Sequence, residues 1–135
     1  MRRASILIWF VLVVSMAAGP RSAGDGVYTK EQANRGETIY RTECARCHGE
    51  NLLGGDEAPE VVGDDFMAKW NGKTVGGLYQ LILKTMPSDG PGTLSPRLSS
   101  DLAAYLLSAN DFPAGPKELD ADLAALNEIR IERKP

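Results

Sequence analysis

At 135 residues the chain is long enough for one domain and short enough that its core must be small; 43% of it is apolar, 24% charged and 7% aromatic. Those proportions belong to an ordinary globular protein, while 14 glycines and 8 prolines point to much loop. The formal net charge of −3, without a basic patch or a phosphate-cradling glycine motif, argues against nucleic acid and against an anionic membrane surface as partners.

Arg2 and Arg3 precede an apolar run from Ile6 to Val14, and small residues follow it. A basic start, a short apolar region and a small-x-small site make an export signal over residues 1–17, cut after Ser15-Met16-Ala17, which places the protein in the periplasm. The competing reading is an uncleaved anchor in the inner membrane. Against it, the apolar stretch of residues 4–18 would be about 22 Å long as helix, short of a hydrocarbon core of about 30 Å. Cleavage removes two of the 15 basic residues and none of the 18 acids, leaving 13 against 18 and a net charge of −5.

Residues 18–26 are rich in Gly, Ser and Asp and read as a flexible leader. Thr29 then opens a helix, with "TKEQ" as a capping box in which Gln32 is the return partner. Ala33, Gly36, Tyr40, Cys44 and Cys47 recur at helical steps and share one face. Gly36 on that face costs a helix about 1 kcal/mol relative to Ala; its benefit is the close approach of another helix, with Tyr40 packed beside the crossing. Residues 49–72 show no periodicity and read as a long irregular stretch, which in a compact domain suggests a loop wrapped around something. Thr74 begins the next helix, with Leu78, Leu81, Ile82 and Thr85 on one side, and Pro87 stops it with Met86 at its exit. Ser95 and Pro96 form an N-cap and first-turn proline. Leu98, Leu102, Tyr105, Leu106 and Ala109 make the stripe of that helix, and Asn110 and Pro113 end it. Leu119, Leu123, Leu126 and Ile129 stand at helical steps in the tail, as in a short docked helix. The fold expected is all-α, with three main helices, long loops, a domain over residues 27–112 and a C-terminal extension over residues 113–135.

Both cysteines and the single histidine of the chain fall in "CARCH", residues 44–48. A structural zinc site needs four ligands and finds no second cluster here. A dithiol oxidoreductase places Cys-x-x-Cys at a helix start after a strand, where the dipole lowers a thiol pKa, whereas this motif closes a helix. A disulfide three residues long constrains little and leaves His48 unexplained as a surface residue. Cys-x-x-Cys-His is the attachment signature of c-type haem. Cys44 and Cys47, one turn apart, can bond the two vinyl groups on one porphyrin edge, and His48 then stands under the iron. With one histidine, a second imidazole ligand within the chain is impossible, so methionine is the sixth ligand, a pairing that raises the potential. Met1 and Met16 lie in the leader. Met86 in "KTMPSDGPG", on a loop stiffened by Pro87, is preferred over Met67 in "DDFMAKW", which reads as core packing.

In the order "GETIY", "CARCHG", "APEVVG", "TMP" and "LAAYLL", from about Tyr28 to Phe112, the chain resembles the class I c-type cytochromes. The resemblance implies an all-α haem fold whose first and last helices cross at Gly36 and Tyr40 against Tyr105 and Leu106. It also implies that the Pro59 carbonyl takes the proximal imidazole's free N–H, and that Trp70 lines the haem and reaches a propionate. A narrower resemblance, in "TMPSDGPGTLS" and "AYLLSANDFPAGPKEL", is to the small cytochromes that accompany quinoprotein alcohol dehydrogenases; "SPRLSS" departs from it. The function implied is that of a periplasmic electron carrier and not an enzyme. One covalent haem c, its iron between His48 and Met86, would pass single electrons from a dehydrogenase to an oxidase or another cytochrome. The alternatives are a fixed cytochrome subunit of a quinoprotein dehydrogenase, and a haem enzyme or sensor with a displaceable methionine. Lys69, Lys73 and Lys84 could frame a docking rim or be solvated charges.

Overall fold

A computed structural model of the chain describes residues 19–133; the export signal expected over residues 1–17 lies outside the described residues. These are mostly helical: α1 Lys30–Glu43, α2 Ala45–His48, α3 Gly63–Trp70, α4 Val75–Thr85, α5 Pro96–Ala109 and α6 Leu123–Asn127. Beside the helices run a parallel pair of two-residue strands, β1 Arg21–Ser22 and β2 Ile129–Arg130. The three predicted helices are α1, α4 and α5, and their starts are set by local capping: Thr29, Thr74 and Ser95 accept from the backbone N–H of Gln32, Gly77 and Leu98. No helix among the described residues is long and apolar enough to cross a membrane.

Helices α1 and α5 pack directly on each other. A Cβ on Gly36 would lie 2.0 Å from the Asp101 carbonyl oxygen, so the missing side chain is what allows the two backbones to meet. One turn on, the rings of Tyr40 and Tyr105 stand 5.4 Å apart at a tilt of 51°, within the range of favourable aromatic pairs. The same crossing is laced by charge. Arg35 donates through Nε and Nη2 to both carboxylate oxygens of buried Asp101, each at 3.0 Å, and through Nη2 to Glu118 at 2.9 Å. These two carboxylates hold the Arg35 guanidinium pKa above its ordinary value, the Asp101 hydrogen bonds most strongly. Arg35→Ala would leave the Asp101 carboxylate buried without its cation. With over a third of the Arg35 side chain in water, the expected loss is about 1–2 kcal/mol, whereas Glu118→Ala at the exposed partner should cost under about 1 kcal/mol. Urea midpoints of the two variants give the comparison.

Four expectations change. The irregular stretch of residues 49–72 contains α3, hidden because its N-cap, Val62, has no capping side chain. Residues 21–25, expected in a flexible leader, form β1 and a 3-10 turn with Ala23 fully buried, because β2 supplies a partner from the far end of the chain. The capping box at Thr29 is half a box: Gln32 turns inward, donating from Nε2 to the Leu119 carbonyl at 2.9 Å and accepting the Leu119 N–H on Oε1 at 2.7 Å. That pair fastens the tail to α1. The tail then passes Tyr79, whose hydroxyl donates to the Ala121 carbonyl at 3.2 Å, forms the short α6 against α4, and ends with Ile131 exchanging backbone bonds with Gly72 and Lys73. Its helix stops at Asn127, so Ile129 reaches the core from a strand instead of a helical face.

Candidate functional site

Helix α1 ends at Glu43, and the motif occupies the following turn. The Cys44 carbonyl accepts from the N–H of both Cys47 and His48, at 3.1 and 3.0 Å, and Gly49 closes the turn on the Ala45 carbonyl at 2.8 Å. Tyr40, from the α1–α5 contact, donates its hydroxyl to the Gly49 carbonyl at 2.7 Å. The helix crossing and the motif turn are thus one connected unit.

The chain then doubles back over this turn. Gly54 donates its N–H to the His48 carbonyl at 2.8 Å, and Gly55 donates to the Ala58 carbonyl at 2.9 Å. Gly54 has φ +70°, and a Cβ there would meet the backbone of Ala58, Pro59 and Glu60 at 2.7 Å, so glycine is required on both counts. This tight fold carries the Pro59 carbonyl to 2.8 Å from His48 Nδ1. A carbonyl can only accept, so Nδ1 holds the proton and the lone pair of the neutral ring sits on Nε2, the nitrogen left for a metal.

Above the turn lies a cavity of about 580 Å³, within the span of about 300–1,000 Å³ usual for small-molecule and cofactor sites. Cys44, Cys47, His48, Pro59, Trp70 and Met86 all line it, with Phe66, Leu78, Leu102 and Leu106 among its apolar walls. Met67 does not line it; it is half-buried against the core. Trp70 closes α3 and is buried, and Met86 caps the end of α4, followed by a cis Met86–Pro87 bond. Residues contributed by α1, α2, α3, α4, α5 and the 57–61 loop therefore converge on one apolar space.

Both cysteines are free and half-buried. Burial pushes the Cys44 thiol up to about 11, with Glu43 and Cys47 adding to the effect, so it is protonated at neutral pH. Burial likewise raises the Tyr40 hydroxyl, with smaller contributions from Cys44 and Tyr105. Arg46, between the cysteines, pairs with Asp89 on the Met86 loop and holds that carboxyl below its ordinary value. Four carboxylates, Glu43, Glu57, Glu60 and Asp65, line the cavity against one lysine, Lys69. Of Lys69, Lys73 and Lys84, weighed as a docking rim against plain solvated charges, only Lys69 lines the cavity. Lys69 and Lys73 place their ammonium groups 5.5 and 5.6 Å from the Trp70 ring centroid, at cation–π distance.

Among the described residues no group of three or more His, Cys, Asp and Glu side chains is placed to hold a metal ion, so a zinc site lacks its ligand set. A tethered porphyrin asks for something different: two thiols on one turn, one imidazole with its second nitrogen engaged, a thioether and an apolar chamber. The side chains gathered here fit that request. The sequence reading missed Gly54, visible only as half of a Gly-Gly pair, and Asn110, which looked like an ordinary helix stop. Asn110 donates from Nδ2 to the carbonyls of Val61 and Leu106 and accepts the Gly63 N–H.

Residues 31–106 match the protein family described as Cytochrome C oxidase, cbb3-type, subunit III. Over 94 residues the chain is 31% identical to the Cbb3-type cytochrome c oxidase subunit FixP of Rhizobium meliloti (strain 1021), an alignment covering 60% of this chain and 31% of that protein. It is 30% identical over 93 residues to the subunit FixP of Sinorhizobium medicae (strain WSM419), again covering 60% of this chain and 31% of the relative. The chain thus spans about a third of the length of these curated relatives. Its fold is similar to that of a chain in the crystal structure of the sulfane dehydrogenase SoxCD from Paracoccus pantotrophus. That match has a TM-score of 0.52 and 19% identity, covers 79% of this chain and 61% of that one, and is a likeness of fold alone.

Proposed function

We infer the function from family and site together: the chain belongs to the Cytochrome C oxidase, cbb3-type, subunit III family, and is a c-type cytochrome domain for which that membership implies a haem c. Cys44 and Cys47 would hold the haem through thioether links, and His48 Nε2 and the Met86 sulfur would ligate its iron. When bound, the haem supplies a one-electron ferric–ferrous couple. The chain's own residues do the rest. The Pro59 carbonyl fixes the tautomer and orientation of His48 and raises its basicity as a ligand. Phe66, Trp70, Leu102 and Leu106 exclude water, and a thioether opposite an imidazole favours the reduced state. With His48 and Met86 as its ligands, the haem would offer no open site to a substrate, so the domain would relay electrons without catalysis of its own.

The proposed domain runs over residues 27–112 and the extension over residues 113–135, its described part to residue 133 packed back on the domain, in an exported protein. The setting proposed is an oxidase assembly, because the matching relatives are oxidase subunits. This moves the reading away from a free shuttle between a dehydrogenase and an oxidase. The narrower likeness to cytochromes of quinoprotein dehydrogenases finds no support in these comparisons. A dehydrogenase subunit stays a distinct outcome of co-purification.

The observation that carries the proposal is the 2.8 Å contact of His48 Nδ1 with Pro59 in the wall of a cavity that also gathers both thiols and Met86. Mass spectrometry of the chain made in an exporting, haem-competent host tests it. The expected result is one added haem mass and no alkylation at either cysteine, with the leader's fate read from the same spectrum. A colourless protein with two alkylatable thiols would overturn it.

A further inference from the structure

We propose that Asn110 is a positioning residue for the His48 imidazole, acting through the backbone segment that supplies the Pro59 carbonyl; the proposal rests on the reading of His48 as an iron ligand. Asn110 does not line the cavity. It follows α5 and is 2% exposed, yet every bond of its carboxamide is directed. Nδ2 donates to the Leu106 carbonyl at 2.8 Å, within its own helix end, and to the Val61 carbonyl at 3.1 Å. Oδ1 accepts the Gly63 N–H at 2.9 Å.

The last two bonds matter most for the site. Gly63 opens α3, whose N-cap residue, Val62, makes no side-chain hydrogen bond. Asn110 therefore supplies from α5 the capping acceptor that the local sequence lacks. Val61 is gripped on both sides, its N–H by the Leu52 carbonyl at 3.0 Å and its carbonyl by Asn110. Pro59, two residues earlier, has no N–H with which to anchor its own peptide. Its carbonyl is placed by what holds its neighbours: the tight turn at Gly54 on one side and the Val61–Asn110 bond on the other. One buried amide thus fixes the segment bearing the partner of His48 and the start of the helix bearing Phe66 and Trp70.

The sign of the effect separates this role from general support of the fold. A hydrogen bond from Nδ1 raises imidazole basicity and stabilises ferric iron, so weakening it raises the reduction potential. Mere loosening of the pocket admits water, which stabilises the more charged ferric state and lowers the potential.

The test uses the full chain exported from a haem-competent host, as Asn110→Leu, as the milder Asn110→Ser, which keeps one hydroxyl, and as the control Gln32→Leu. The control removes a buried amide whose bonds run to Leu119, on the tail. Readouts are the ¹⁵N and Nδ1–H resonances of the His48 ring and the reduction potential. Asn110→Leu is expected to speed exchange of the Nδ1 proton about tenfold or more, as loss of a hydrogen-bond partner does, and to raise the potential. Asn110→Ser should do both to a smaller degree, and Gln32→Leu neither. Unchanged Nδ1 exchange in the leucine variant, or a fall in potential, overturns the proposal; if that variant does not fold, unchanged exchange in the serine variant does so. A wild-type chain carrying no haem would sink the electron-transfer reading instead, while the ring resonances of His48 would still report whether its bond to Pro59 depends on Asn110.

Discussion

Gly36→Val is expected to cost the chain more than about 3 kcal/mol of stability. A Cβ at this position would stand 2.0 Å from the Asp101 carbonyl oxygen, 2.6 Å from its carbon and 2.8 Å from Tyr105 Cβ. The first two are backbone of α5, which no rotamer change can move. Helix α1 cannot retreat either, because Arg35 ties it to Asp101 on one side of the contact and Tyr40 packs on Tyr105 on the other. Overpacking usually costs about 1–3 kcal/mol when side chains can adjust; against backbone in the principal helix crossing it should exceed that range, a large share of a total stability of about 5–15 kcal/mol. Gly36→Ala sharpens the test, because two effects oppose. Alanine gains about 1 kcal/mol of helix propensity, while its methyl already occupies the forbidden position. The clash should win, and thermal unfolding followed by circular dichroism should show a lower midpoint. An unchanged or higher midpoint for the alanine variant would mean that α1 and α5 do not meet as closely as this.

What could be read from the sequence follows from how local each determinant is. Thr29, Thr74 and Ser95-Pro96 announce their helices because the capping oxygen lies within three residues of the N–H it serves. Helix α3 was invisible because its capping oxygen belongs to Asn110, beyond two further helices. Gln32 misled for the same reason: its spacing from Thr29 is that of a capping box, but Leu119 offers it a better-buried partner. On α5 the stripe was drawn slightly off its true face, with Leu98 at 38% exposure and Leu107 fully buried, since a helix packed on both α1 and α4 buries more than one stripe. At the site, Cys44, Cys47 and His48 could be singled out because their chemistry is written in adjacent residues. Pro59 and Trp70 came only from a family resemblance, as nothing in their own surroundings marks them. Gly54 and Asn110 left no signal of function because the partners they hold are backbone atoms, which every residue possesses: Gly54 bonds the His48 carbonyl through its own N–H, and the Asn110 carboxamide bonds the backbone of Val61 and Gly63.

Met86→Ala should produce the largest change in the redox behaviour of the protein. Two methionines lie among the described residues. Met86 is half-buried in the cavity wall at the α4 exit, while Met67 sits in α3 and packs on the core outside that wall. With His48 the only imidazole in the chain, removing the Met86 thioether would leave the iron of the proposed haem without the second ligand assigned to it. Axial ligands span about 0.8 V of haem potential, and a thioether lies toward the high end because it favours ferrous iron. The alanine variant is therefore expected to show a potential lower by a sizeable part of that range, and to bind carbon monoxide when reduced, which the unaltered protein at rest should not. Met67→Leu is the counterpart: a nearly volume-conserving change worth under about 1.5 kcal/mol, which should leave both the potential and the resistance to carbon monoxide in place. Rapid carbon monoxide binding by the unaltered reduced protein would mean that Met86 does not hold the iron, and would turn the assignment from electron relay toward a haem enzyme or sensor with an open site. Loss of the high potential in the Met67 variant instead of the Met86 variant would keep the relay but move its sixth ligand to α3.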